Sequence, residues 1–161
     1  MASPEYSLAT ANERTMLESW LDLARDAVVA KIDGLSEVDL RRRLVPSLTT
    51  VGGVVKHLRW VETGWFHQLL GALSGDSRRT HDRDWEFTVQ PEDTRESLVE
   101  AYREACAGSR FAARGYELDD VVPHHEMGRV SVRWIFVHLI EETNRHAGQL
   151  DILREQLDAA N

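Results

Sequence analysis

Apolar residues recur at intervals of three and four over four long stretches of the chain, a spacing that gives a helix one buried face. Residues suited to a helix cap or first turn mark where these stretches begin: Thr10, Thr49 or Thr50, Pro91 and Ser131. The alternation typical of β-strands is not convincing anywhere. We predict an all-α fold in which residues 1–161 form one domain, an antiparallel four-helix bundle with a long connection between helices two and three.

Helix two and the connection after it depart from this regular pattern. Gly52 and Gly53 weaken the helix locally, and in a bundle they would let a neighbouring segment approach closely. Residues 74–91 lose the helical periodicity and are polar and rich in turn-forming residues. A loop of this length is either mobile or functional, and whether it closes over a site is open. We expect Trp85 and Phe87 to fix its far end to the body.

Composition and charge narrow the possible partners. Hydrophobic residues make up 42% of the chain, enough for a core, and the net charge of −8 argues against a nucleic-acid partner or an anionic membrane surface. No apolar run approaches the ~18 residues of a membrane span, and the N-terminus does not resemble a signal peptide. The single cysteine, Cys106, excludes an internal disulfide framework. We therefore expect a cytoplasmic protein.

Helix four carries a candidate metal-binding pattern. His138, Glu142 and His146 follow one another at intervals of four and lie on one stripe of the helix. The two histidines are ~12 Å apart along the axis, too far to share one ion, so Glu142 can pair with either. His57, in an apolar run of helix two, is the natural third ligand; in an up-and-down bundle helices two and four would run parallel. Two imidazoles and a carboxylate leave a coordination position open, as in catalytic zinc sites. A glutamate and a histidine four residues apart are, however, also common as a surface contact on ordinary helices.

Four segments of the chain carry a family resemblance. They are AKIDGLSEVDLR (30–41), PSLTTVGGVVKHLRWVE (46–62), VSVRWI (130–135) and HLIEETNRHAGQLDILRE (138–155). In these segments the chain resembles the DinB-like superfamily of metalloenzymes. It is most similar to the actinobacterial mycothiol-dependent branch, which is related to the N-terminal domain of mycothiol-dependent maleylpyruvate isomerase.

That resemblance implies a divalent metal site in a four-helix bundle, and it makes a homodimer plausible. The ligand set of the mycothiol-dependent isomerases is His, Glu, His, which corresponds here to His57, Glu142 and His146 and selects His146 over His138. Zinc is the expected ion, and nickel, iron or manganese would suit the same ligands. Many close relatives have a histidine where Gln149 stands. The isomerases also carry a C-terminal domain that these 161 residues do not contain, so isomerisation of maleylpyruvate itself is not expected.

The function implied by the resemblance is that of a metal-dependent thiol S-transferase or isomerase. A low-molecular-weight thiol, with mycothiol as the expected one, would be deprotonated at the metal and attack a small electrophile. Two alternatives remain open: a metal-dependent hydrolase that uses a bound hydroxide, and a non-catalytic metal-binding stress protein. Nucleic-acid binding is the weakest reading, because the chain is acidic and has no basic stripe.

Further residues have both a functional and a simpler structural interpretation. Four lie near the ligands in sequence and could orient a ligand or hold the thiol, although packing or solvation is simpler for any one of them: His138, Gln149, Arg145 and Asp151. The loop arginines Arg78, Arg79 and Arg83 could meet an acidic substrate group, or could simply be solvated. Trp60 and Trp65 could wall a pocket or belong to the core. We read Cys106 as a buried, inert thiol rather than a nucleophile.

Overall fold

The computed structural model describes residues 8–71 and 83–160, and these residues are mostly helical, as predicted. The described parts contain six α-helices, one π-helical turn and two short strands. In chain order they are α1 (Glu13–Ile32), α2 (Glu37–Arg41), α3 (Val51–Glu62), the π-helical turn (Thr63–His67), α4 (Arg83–Phe87), α5 (Arg95–Ala113), β1 (Val121–His124), β2 (Gly128–Ser131) and α6 (Val132–Ala159). Among the described residues, no helix combines the length and apolar character that crossing a membrane requires.

The starts of the two helices that carry the candidate ligands agree with the sequence prediction. The Thr50 hydroxyl accepts a hydrogen bond from the backbone N–H of Gly53, at 3.1 Å, and so caps α3. Ser131 caps α6 in the same way by accepting from the backbone N–H of Trp134. Each cap satisfies an N–H group that the first helical turn leaves without a partner.

The starts of the other two long helices were predicted less accurately. The helix start predicted at Thr10 is wrong, because the side chain of Asn12 caps α1 by accepting from the N–H of Thr15. Pro91 is not in the first turn of α5, which begins at Arg95 after a capping box formed by Thr94 and Ser97. α3 ends at Glu62, and the π-helical turn Thr63–His67 continues directly from it.

The directions of the long helices differ from an up-and-down arrangement. α3 and α6 run antiparallel, because His57 contacts Glu142 while Phe66, farther along α3's direction, packs on Phe136, which is earlier in α6. The expectation that helices two and four run parallel is therefore wrong. α3 and α5 run parallel, because Lys56 contacts Asp93 just before α5, while His67, after α3, contacts Ala105 farther along α5.

Two hydrophobic clusters form the core, and the candidate ligands lie at the level between them. One cluster includes Val28, Leu58, Tyr102 and Leu150; the other includes Leu21, Phe66, Ile135 and Leu139. Along α6 the second cluster reaches Ile140 and the first resumes at Ala147. Glu142 and His146 fall between these positions, where apolar packing gives way to buried polar side chains.

A β-hairpin joins α5 to α6, which corrects the prediction that the chain contains no strands. β1 and β2 pair antiparallel, from Val121 opposite Ser131 to His124 opposite Gly128. Gly128 has a φ of 73°, a conformation that favours glycine. Each strand has only four residues and β1 contains Pro123, so the alternation that signals a strand is too short to recognise.

The glycine pair on α3 allows α4 and the residues after it to pack closely on that helix. A Cβ atom at Gly53 would lie 2.2 Å from the carbonyl oxygen of Phe87, and one at Gly52 would lie 2.8 Å from a methyl group of Val89. Trp85 packs against Trp60, with ring centroids 5.5 Å apart. The predicted close approach at the glycines and the anchoring of the loop's far end are both confirmed. Arg78 and Arg79 lie outside the described residues, as does the side chain of Arg83.

Candidate metal centre

Three buried side chains bring ligand atoms together between α3 and α6. Glu142 Oε1 lies 3.4 Å from Nε2 of His57 and 3.2 Å from Nε2 of His146. The two imidazole centroids are 5.0 Å apart, and one ligand atom from each residue lies within 4.8 Å of the others. We call His57, Glu142 and His146 the donor cluster.

The outer nitrogen of each imidazole faces an oxygen atom. Nδ1 of His57 lies 3.1 Å from Oε2 of Glu86, and Nδ1 of His146 lies 2.8 Å from Oε1 of Gln149. Ionised carboxylate and amide oxygens only accept hydrogen bonds, so each Nδ1 carries the proton and donates it. When both rings are neutral, as metal binding requires, both Nε2 lone pairs are directed toward Glu142.

The acceptor character of the three groups decides whether the donor cluster fits a divalent cation. Two nitrogen lone pairs and a carboxylate oxygen are all acceptors, and they converge on one small buried region. With both imidazoles neutral, acceptors that face one another at 3.2–3.4 Å repel, and either a proton or a metal cation among them relieves this repulsion. The donor cluster therefore fits a cation, and two imidazoles with one carboxylate suit zinc, nickel, iron or manganese.

The protonation state of His146 agrees with this fit. Burial, reinforced by the neighbouring His57, lowers the pKa of His146 to about 4 despite the hydrogen bond to Gln149. The imidazole is consequently neutral near pH 7, which is the form that binds metals.

Glu142 has a further partner on its other oxygen. Arg145, one turn along α6, forms an ion pair with Oε2 of Glu142 and also lies 3.7 Å from Glu141. Oε1 is the oxygen that faces the two imidazoles. The guanidinium thus fixes the orientation of the carboxylate while its own outer part stays exposed.

Of the four residues suggested to support the ligands, two contact the donor cluster. Gln149 and Arg145 touch it as described, whereas His138 packs against Trp65 and Trp134, with centroids at 4.5 and 4.9 Å. Asp151 pairs with Lys31 of α1, because five residues rotate it by roughly 140° from His146. Gln149 could be identified from sequence because it lies three positions after His146, a spacing that makes two residues neighbours on a helix.

The remaining sequence candidates lie elsewhere. Trp60 is buried in the core, and Trp65 is half-buried in an aromatic group with His124, Trp134 and His138. Cys106 is buried, as predicted, and burial raises the pKa of its thiol to about 12, so it is not a nucleophile at neutral pH.

Glu86 is the residue at this site that the sequence did not reveal. It lies in the connection between two long helices, where no periodic pattern links it to a histidine 29 positions earlier. Its aromatic neighbours Trp85 and Phe87 were the only sign that this part of the connection packs on the body.

The fold of the chain is similar to that of two solved structures. The crystal structure of a DinB-like protein from Bacillus cereus superposes with a TM-score of 0.66 and 17% identity over 88% of this chain and 90% of that one. A conserved protein from Enterococcus faecalis gives a TM-score of 0.66 at 13% identity, over 90% and 96% of the two chains. These likenesses concern the fold.

Sequence comparisons carry the family assignment. None of the curated proteins compared with the chain matches it. A family model described as mycothiol-S-transferase matches residues 16–159, and because this match covers most of the chain, the protein belongs to the mycothiol-S-transferase family.

Proposed function

We propose that the protein is a metal-dependent thiol S-transferase that joins a low-molecular-weight thiol, mycothiol first among them, to a small electrophile. The metal ligands in this proposal are His57, Glu142 and His146, and zinc is the expected ion. The observation that carries the proposal is the convergence of three buried acceptors on one point in a chain of the mycothiol-S-transferase family. We further propose one four-helix-bundle domain over residues 1–161, a cytoplasmic location and a homodimer.

Each residue of the donor cluster has a defined task in this reaction. The two imidazoles offer Nε2 as neutral ligands, and Glu142 contributes the negative charge that favours a divalent cation. Arg145 orients Glu142, and Gln149 holds the tautomer of His146. Three protein ligands leave a coordination position for a small molecule.

When bound, a divalent cation supplies Lewis acidity, which lowers the pKa of a thiol that coordinates it. The thiol loses its proton to solvent, and its sulfur forms a bond to the electrophilic carbon. The leaving group departs with the electron pair of the bond that breaks. Neither Cys106 nor another side-chain thiol is needed, because the thiol is the cosubstrate.

The test is to incubate the Zn²⁺-loaded protein with mycothiol and 1-chloro-2,4-dinitrobenzene as a model electrophile, and to measure the S-conjugate by mass spectrometry. We expect enzyme-dependent conjugate, and its loss in His57→Ala. His125→Ala is the matched control, because this histidine is exposed on the hairpin and should leave the rate unchanged.

Three further measurements separate the alternatives: turnover without thiol, melting temperature with zinc, and metal binding. Loss of an ester or amide substrate without added thiol would favour the hydrolase. Zinc binding that raises the melting temperature, with no thiol-dependent turnover of any electrophile in a panel, would favour a metal-binding stress protein. A wild-type protein that binds no divalent ion would refute the proposal.

A further inference from the structure

We propose that Glu86 is a positioning residue that holds His57 as a metal ligand, and that Gly52 and Gly53 allow the segment carrying Glu86 to reach it. This inference rests on the proposed metal site, and it concerns residues outside the donor cluster. Its consequence is that the contribution of His57 to metal affinity depends on how the segment 84–89 packs against α3.

Two contacts from neighbouring residues fix the His57 ring. The Glu86 side chain is buried, with the residue 3% exposed, and its Oε2 accepts a hydrogen bond from Nδ1 of His57 at 3.1 Å. The ring of Phe87 stacks on the same imidazole, with centroids 4.2 Å apart and planes 17° apart. The hydrogen bond sets the tautomer of His57 and the direction in which Nδ1 points, while the stacked Phe87 ring restricts rotation of the imidazole.

The segment that delivers these residues is attached to α3 by the residue just before His57. Lys56 donates a hydrogen bond to the carbonyl oxygen of Thr88 at 2.9 Å, and its ammonium group lies 4.1 Å from the centroid of the Trp85 ring. The same ammonium group lies 3.3 Å from a carboxylate oxygen of Asp93. Lys56 therefore contacts the segment at the middle of α4 and just after its last residue.

The glycines make this approach sterically possible. Any Cβ at position 53 would lie 2.2 Å from the backbone oxygen of Phe87, a distance that real Cβ atoms essentially never show. Substitution would push out the backbone next to Glu86, because backbone atoms cannot rotate away as a flexible side chain can. Two adjacent glycines cost helix stability, and the close approach of the segment 84–89 that they allow explains why they are present.

A carboxylate that accepts from Nδ1 acts on the other nitrogen of the ring. It keeps the proton on Nδ1, leaves the Nε2 lone pair available and increases its basicity. Removing such an outer partner typically weakens metal affinity by roughly 10–100-fold. We expect this effect from Glu86, which lies outside the donor cluster and contacts Nδ1 of His57.

The first test compares Glu86→Gln with Asp84→Asn, a matched change on an exposed residue of the same helix. The dissociation constant for Zn²⁺ is measured by competition with a chelator, and the melting temperature of each apo protein is recorded. We expect Zn²⁺ affinity to fall by about 10-fold in Glu86→Gln, because the neutral amide can still accept from Nδ1 but lacks the negative charge that raises the basicity of Nε2. The apo melting temperature should stay close to the wild type. Asp84→Asn should bind Zn²⁺ like the wild type. Equal affinity in both variants would overturn the inference.

The second test leaves every polar group of the site in place. Gly53→Ala should also weaken Zn²⁺ binding, and Gly115→Ala, which has open space around it, should not. Wild-type affinity in Gly53→Ala would overturn the role given to the glycines. A wild type that fails to bind Zn²⁺ would overturn the proposed function itself, whereas tight binding by the wild type and Glu86→Gln alike would overturn this inference alone.

Discussion

Two groups of buried polar side chains in the described part of the molecule differ in how their charges and hydrogen bonds are matched. Arg25 and Glu62 form a bidentate ion pair, with nitrogen–oxygen distances of 2.8 and 2.6 Å. Burial alone would lower the pKa of Arg25, but the charge and hydrogen bonds of Glu62, with smaller contributions from Cys106 and Asp22, together outweigh it and that pKa is raised. In the donor cluster, by contrast, acceptors face acceptors.

The difference indicates what each group is for. A bidentate pair of opposite charges satisfies itself, so its contribution is to the folded structure. Arg145 pairs with only one oxygen of Glu142, so the acceptors that converge on the other oxygen gain their complement from a bound cation, and holding them together costs stability until it arrives. Burial of polar groups therefore does not mark a site by itself; an imbalance of donors and acceptors within the buried group does.

The sharpest test of this contrast is Glu142→Gln. The new amide can donate to an imidazole Nε2, so the repulsion among acceptors is relieved at the same time as the negative charge is lost. We expect Zn²⁺ binding to fall below detection while the apo protein becomes more stable, by about 1 kcal/mol. Calorimetric titration with Zn²⁺ and urea unfolding in the presence of a chelator measure the two effects. An apo protein destabilised by the change would mean that the cluster is structural.

Glu62→Ala should have the opposite signature. It leaves Arg25 buried without its main partner, so the free energy of unfolding should fall by about 3–5 kcal/mol. Zn²⁺ affinity of the folded fraction should be unchanged. Asp22→Ala is the control, since it removes a half-exposed partner of the same arginine and should cost about 1 kcal/mol or less. Comparable losses in both variants would show that the pair is not a closed unit.

Gln149→Ala should have a smaller effect, and it should change Zn²⁺ affinity without changing apo stability. The hydrogen bond that fixes the tautomer of His146 is lost, so Zn²⁺ affinity should fall by about 10-fold, with little change in apo stability. Gln149→Glu restores an acceptor and should recover the affinity. Failure of this rescue would count against the tautomer argument.

The smallest effect is expected at Cys106, which lies beside the Arg25–Glu62 pair. Cys106→Ala should leave S-conjugation and Zn²⁺ affinity unchanged, because the thiol is buried and its pKa is raised to about 12. The native protein should likewise resist alkylation at pH 8. A strong loss of conjugation in this variant would return the cysteine to the mechanism.

The features that the sequence predicted correctly are local ones, although the starts of α1 and α5 were missed. The caps at Thr50 and Ser131 depend on a few adjacent residues, and Gln149 was identified because it lies one helical turn from His146. Spacing alone did not decide between His138 and His146. The family resemblance chose His146, and the structure brings it to Glu142 and His57.

Features that depend on distant parts of the chain could not be predicted in this way. The direction of α3 relative to α6 depends on where the long connection crosses, which amphipathic spacing does not encode. Glu86 approaches His57 because one segment packs on another through two glycines, and no periodicity records that contact. The hairpin escaped detection because its strands are too short to show alternation.

The 85 positions between His57 and Glu142 have a consequence for the protein's abundance. In an unfolded chain these donors are far apart, so an ion that needs both binds only the folded form. By mass action, free Zn²⁺ at 100 times its Kd would add about 2.7 kcal/mol to stability. Proteases that degrade unfolded chains would then remove the protein faster in metal-starved cells, so its level would follow the supply of the ion.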